Sequence, residues 1–108
     1  RVLALAEWRR RGVLDVVRDT LAGGDADAIF WGFDMDAVRG ADAPGVSAVN
    51  PLGLSAAEFV GLWTLAGSDP RTRLVELSEV NPRHDIDGRT ARLAAVAVWS
   101  YLAALTDV

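Results

Sequence analysis

Cysteine is absent from the 108 residues, lysine is absent too, and histidine occurs once. The first absence removes disulfides, thiolate metal sites and thiol nucleophiles together, and a lone His84 cannot build a histidine-rich zinc site. Any metal held by this chain is held by carboxylates. No apolar run approaches the roughly 18 residues of a membrane span, and no basic start leads into an apolar core with a small-residue cleavage site. The chain therefore reads as soluble and unaddressed, a cytoplasmic protein. Fifteen acidic against eleven basic residues give a net charge of -4, and the arginines form no long stripe, which argues against nucleic acid as a partner. What is present is a globular composition, 51% hydrophobic with 24% charged, so a packed core and not disorder is expected. A start at Arg1 and not methionine points to a chain that is processed, trimmed or partly represented.

Residues 2–21 carry apolar side chains at three- and four-residue intervals around Gly12, which fits two short helices or one helix broken there. Gly23 and Gly24 stop the run, as a left-handed C-terminal glycine commonly does. Residues 28–33, Ala-Ile-Phe-Trp-Gly-Phe, are continuously apolar and predict a strand buried on both faces. Residues 37–54 hold Gly40, Pro44, Gly45, Pro51 and Gly53 and predict a loop longer than a plain connection needs. Ser55-Ala-Ala-Glu58 has capping-box spacing and starts a helix with Phe59, Val60, Trp63 and Ala66 on one face, ended by residues 67–70. Residues 72–77 predict a second strand. Asp85 or Asp87 caps a last helix over residues 89–105, whose apolar face is Leu93, Val96, Ala97, Tyr101 and Ala104. Helix, strand, loop, helix, strand, helix implies parallel strands joined by right-handed crossovers. Two such strands cannot cover their own edges, so the chain is a piece of a larger α/β protein or associates to complete its sheet.

Asp34-Met-Asp36 falls where the first strand ends, the carboxyl edge at which open parallel sheets bind ligands. Alternation in an extended segment places both carboxylates on one side with Met35 turned away. Such a pair repels itself unless a cation lies between, and hard divalent Mn²⁺ or Mg²⁺ suits oxygen ligands. The competing reading has both residues capping the loop. Glu79 stands at the matching end of the second strand, able to meet the same site and to pair with a cationic amidinium or guanidinium through two parallel hydrogen bonds, or else to pair with Arg83. Glu76, inside the strand, is the lesser candidate, facing a helix or pairing with Arg73. His84 reads as a solvated or capping residue, Arg9-Arg10-Arg11 as a solvated helix end, and Trp8, Trp31, Trp63 and Trp99 as core. Ser47 fits a turn hydroxyl as well as a site-lining one.

The run from Phe33 to Ser55, with Asp34-Met-Asp36 and Ala43-Pro-Gly-Val-Ser47, resembles the second metal-binding segment of the ureohydrolases, the arginase, agmatinase and formimidoylglutamase family. Glu79-Val-Asn-Pro82 is similar to that family's later Glu-x-Asn-Pro signature, and the spacing with a capped helix between them agrees. The resemblance covers residues 28–105, and the segment from Asn81 to Ala95 is most similar to the formimidoylglutamase subgroup. Arg39-Gly40 departs from the family's usual Asp-Pro.

That resemblance implies an α/β fold, the C-terminal portion of a three-layer α/β/α arginase-like domain with a parallel sheet, taking in residues 1–108. It implies Asp34 as a carboxylate bridging two Mn²⁺ ions, Asp36 as a ligand of one, and Glu79 as the anchor for a cationic amidino group. The reaction implied is hydrolysis of a linear amidine, N-formimidoyl-L-glutamate to L-glutamate and formamide in histidine breakdown, in a homo-oligomer. Nothing in residues 1–33 matches the family's Gly-Gly-Asp-His or Asp-Ala-His-x-Asp segments, so the fragment alone is expected to be inactive and to hold at most one weakly bound ion. Agmatinase or another amidinohydrolase is the near alternative. A non-catalytic α/β interaction module is the distant one, and a phosphotransfer domain using Asp34 lacks both a lysine and a phosphate loop.

Overall fold

A computed structural model describes residues 2–106. Helix α1 (Leu5–Arg11) and helix α2 (Val13–Gly23) meet at Gly12, whose φ of 92° is open to glycine and strained for other residues. The Gly12 amide donates to the Trp8 carbonyl at 2.8 Å and closes the first helix. Of the two arrangements that the sequence allows here, two helices form. Helix α2 ends at Gly23, but Gly24 is extended (φ -88°, ψ 153°) and not left-handed as the glycine pair suggested.

Strand β1 (Ile29–Asp34) and strand β2 (Thr72–Ser78) pair in parallel, with Phe30 opposite Leu74, Phe33 opposite Leu77 and Asp34 opposite Ser78. Between them lie the long loop and helix α3 (Ala56–Ser68). Both halves of the capping box form: Ser55 Oγ accepts from the Glu58 amide at 3.1 Å, and Glu58 Oε1 accepts from the Ser55 amide at 2.9 Å. Helix α4 (Arg89–Leu105) closes the described chain, and the expected α/β order with a parallel sheet is the order observed.

Alternation along β1 turns Trp31 and Phe33 to one face. Phe33 stacks on Trp63 of α3 with centroids 4.4 Å apart, and Phe59 meets Phe33 edge-on at 5.8 Å. Removing Phe59 and Trp63 from water contributes about 1.5–3 kcal/mol each. Behind them, Tyr101 of α4 meets Trp63 edge-on. At Gly67 the two helices approach so closely that a Cβ would strike the Tyr101 carbonyl and the Ala104 side chain.

Three expectations about burial need correction. Strand β1 is covered on one face only: Phe30 is 57% exposed and its register partner Leu74 is 60% exposed. The continuous apolar run marks a strand suited to two covers, and the described residues supply one. Trp99 is 68% exposed and Val96 50%, so neither joins the core; helix α4 carries apolar residues around more of its circumference than α3 can cover. The inner stripe is Leu93, Ala97 and partly buried Tyr101.

Candidate metal centre

Strand β1 ends because Asp34 turns its carboxylate onto the chain. Its Oδ1 accepts from the Asp36 amide at 2.9 Å and opens a single 3-10 turn, Met35–Ala37. Met35 is fully buried beneath this turn, so the flanking carboxylates are directed outward, Asp34 exposed and Asp36 half-buried. The expected separation of Met35 from the two aspartates is present, but a turn and not an extended strand produces it.

Because Asp34 pairs with Ser78, Glu79 lies one step beyond the adjacent strand tip. The three carboxylates share one field. The Asp36 carboxyl is raised above its ordinary value by hydrogen bonding with Asp34, then by burial, then by the charges of Asp34 and Glu79. Among the described residues no arginine forms an ion pair with any of the three. Glu79 also holds a left-handed backbone, φ 71°, which costs a non-glycine residue about 1–2 kcal/mol.

Uncompensated carboxylates at a strand edge are hard oxygen donors facing a deficit of positive charge, and this chemistry fits a divalent cation. The set is incomplete. Among the described residues no three histidine, aspartate or glutamate side chains gather closely enough to cage an ion. Asp34 and Asp36 are the pair available as ligands, with Glu79 near enough to be felt electrostatically and placed apart from them.

The remaining candidates separate cleanly. Glu76 is exposed opposite Gly32, and Arg73 donates instead to the Pro70 and Thr72 carbonyls. Glu79 and Arg83 form no ion pair within 4.0 Å. His84 is exposed in the turn Pro82–His84, and Ser47 is exposed in the long loop. The arginine cluster is only partly a solvated end. Arg9 donates to Glu58 at 2.9 Å and to the Gly53 carbonyl at 2.6 Å, clamping the loop to the start of α3, while Arg11 pairs with Asp19.

The loop of residues 37–54 is built rather than loose. Val38 bridges to Leu54 and Arg39 to Asn50, and Gly53 packs so tightly on the backbone of residues 37–39 that a Cβ has no room. Arg39-Gly40 has its own local use. Arg39 pairs with Asp42, and the Gly40 amide donates to the Asn50 carbonyl at 2.7 Å, a bond that a proline there would lose.

Residues without an assigned role at sequence level hold this loop against the second strand tip. The buried Thr90 hydroxyl accepts from the Gly45 amide at 2.7 Å, and the Gly45 carbonyl accepts from the Asn81 amide at 2.7 Å. Asp85 receives the Thr90 and Ala91 amides at 3.0 and 3.1 Å, so it caps α4 from a distance although Gly88 is the residue at the helix boundary. Asp87 pairs with Arg89. The signal in the sequence was Gly45 itself: a Cβ there would lie 2.8 Å from both Asp85 Cβ and Thr90 Oγ1.

This arrangement has counterparts. A model of the arginase family matches residues 1–104. The formimidoylglutamase of Aromatoleum aromaticum is 45% identical over 83 residues, 77% of this chain and 24% of that protein. That of Geobacillus kaustophilus is 46% identical over 71 residues, 66% of this chain and 22% of that protein. Among solved structures, Trypanosoma cruzi formiminoglutamase with Mn²⁺ superposes with a TM-score of 0.89 at 30% identity, covering 95% of this chain and 34% of that one. Bacillus subtilis formimidoylglutamase gives 0.90 at 25% identity, covering 97% of this chain and 33% of that one. The chain thus spans about a quarter of the length of these curated relatives and about a third of the solved structures. With a family model matching residues 1–104 and solved structures of that fold superposing on nearly all of the described chain, the chain belongs to the arginase family.

Proposed function

We propose that this chain is the C-terminal part of a manganese-dependent amidinohydrolase acting on N-formimidoyl-L-glutamate, with Asp34 and Asp36 as metal ligands and Glu79 as the amidine anchor. The observation that carries the reading is the group of three carboxylates at adjacent strand tips, lacking a cationic partner among the described residues and raising the Asp36 pKa. Support for the substrate comes from the relatives named formimidoylglutamase. Support for manganese comes from the solved relative with Mn²⁺ and from the all-oxygen donor set.

The reaction consumes one water. The bond between the formimino carbon and the glutamate nitrogen breaks, that carbon gains the water oxygen as the carbonyl of formamide, and the nitrogen leaves as the amine of glutamate. When bound, the metal ions supply Lewis-acid stabilisation and lower the pKa of water. The protein residues do the rest. Asp34 and Asp36 fix the position of the cations, and Glu79 receives two parallel hydrogen bonds from the amidinium and so aligns its carbon with the site. The left-handed turn at Glu79 presents that carboxylate at the sheet edge at a conformational cost, as functional sites often do. The ligands beyond two carboxylates are supplied by polypeptide outside residues 1–108, in a cytoplasmic homo-oligomer of histidine breakdown.

The test is turnover by the intact manganese-loaded protein on formimidoylglutamate, agmatine and arginine. Hydrolysis of the first with release of formamide is expected, and Asp34→Ala lowers bound manganese and turnover together, the latter by at least about a hundredfold. Preference for agmatine would reassign the substrate, and full metal content with normal turnover in Asp34→Ala would remove that residue from the site.

A further inference from the structure

We infer that Thr90 is a positioning residue for the amidine anchor, acting through the backbone of Gly45 and Asn81. The inference rests on the assignment of Glu79 above. Thr90 is a buried polar residue of the core with no measurable exposure, and its hydroxyl, besides bonding to the Asp85 carboxylate that caps its own helix, has a second partner outside that helix. It reaches across to another segment, accepting the Gly45 amide at 2.7 Å over 45 residues of sequence. The Gly45 carbonyl on the far side of that residue accepts the Asn81 amide at 2.7 Å. Asn81 follows Glu79 by two residues, and Glu79 has the left-handed φ of 71°. A strained backbone persists only where its surroundings over-determine it, and this chain of two short hydrogen bonds ties the strained turn to the rigid start of α4.

The same contact is protected from both sides. Asp85 holds the Thr90 and Ala91 amides and fixes the end of α4 that carries the hydroxyl. Gly45 lacks the side chain that would push Asp85 and Thr90 away. Replacing the Thr90 hydroxyl with a methyl group leaves the buried Gly45 amide without an acceptor, so the loop shifts to find one and the Asn81 link loosens with it. The metal-binding turn is fixed separately, by Met35 and by the Asp34 bond to the Asp36 amide. Loss of the Thr90 hydroxyl therefore acts on substrate binding and spares the metal.

The experiment compares Thr90→Val with Thr90→Ser in the intact manganese-loaded protein, reading manganese content, kcat and KM for formimidoylglutamate, and amide hydrogen exchange at Gly45, Asn81 and Asp36. Thr90→Val is expected to raise KM about tenfold while kcat and manganese stay within about twofold. Exchange at Gly45 and Asn81 accelerates about tenfold and that at Asp36 does not change. Thr90→Ser keeps the hydroxyl and restores every value. Unchanged exchange at Asn81 in Thr90→Val overturns the inference, as does an unmoved KM in a protein where Glu79→Gln raises it. If Glu79→Gln leaves KM unmoved, the Glu79 assignment fails instead, and exchange at Asn81 alone decides whether Thr90 holds the turn.

Discussion

Asp36 pays for its position in charge: its carboxyl lies above its ordinary pKa because Asp34 bonds to it, the fold shields it, and Asp34 and Glu79 add negative potential. A carboxyl whose folded pKa exceeds the unfolded one destabilises the fold when ionised, and the cost disappears as pH falls and the group takes its proton. Asp36→Asn should therefore raise the Tm of the metal-free protein at neutral pH while lowering its manganese content, measured by calorimetry and metal analysis. A lower Tm would mean that the repulsion is already neutralised. Glu79 stores a different strain. Glu79→Gly should stabilise the protein by up to about 1 kcal/mol in denaturant unfolding, because glycine accepts φ 71° freely, while turnover of the amidine collapses. Gain of stability with retained turnover would separate the strained turn from function.

At the scale of elements, Asp85 shows how the start of α4 is set. Desolvation raises its carboxyl, but the amides of Thr90, Ala91 and Ile86 and the Thr90 hydroxyl together outweigh it, so the group ends below its ordinary value. A lowered folded pKa contributes stability above the unfolded value, and that contribution is lost as pH falls through the folded value. Asp85→Asn should accordingly be less stable than the unmodified protein at neutral pH, and the gap should narrow as pH drops below the ordinary aspartate range, followed by urea unfolding at each pH. A constant gap would assign the effect to shape alone. The sequence made Asp85 a capping candidate because its oxygen lies a few residues ahead of an apolar helix, and it made Ser55 and Glu58 a capping box by spacing. Both are local rules that operate within a few residues. Thr90, Asp42 and Arg9 were illegible by those rules. Each one acts across the fold, Thr90 on Gly45, Asp42 on the Ala56 amide at 2.8 Å, and Arg9 on the Gly53 carbonyl.

For the molecule as a whole, the parallel order of β1 and β2 and the placement of Asp34, Asp36 and Glu79 at one sheet edge were legible because strand ends are marked by where apolar runs stop. Burial was less so. An apolar run such as residues 28–33 records what the strand suits, and Phe30 and Leu74 lie open on the face that the described residues leave uncovered. The same incompleteness recurs at the carboxylates, where among the described residues no third side chain joins Asp34 and Asp36 closely enough to cage an ion. One proposal joins these two deficits: the polypeptide that covers the second face of the sheet also completes the metal centre. Anomalous diffraction at the manganese edge, on crystals of the intact protein grown with formimidoylglutamate, tests it most directly. Manganese peaks in contact with Asp34 and Asp36, with the formimino group against Glu79, are the predicted result; manganese bound elsewhere, or a formimino group distant from Glu79, would contradict it.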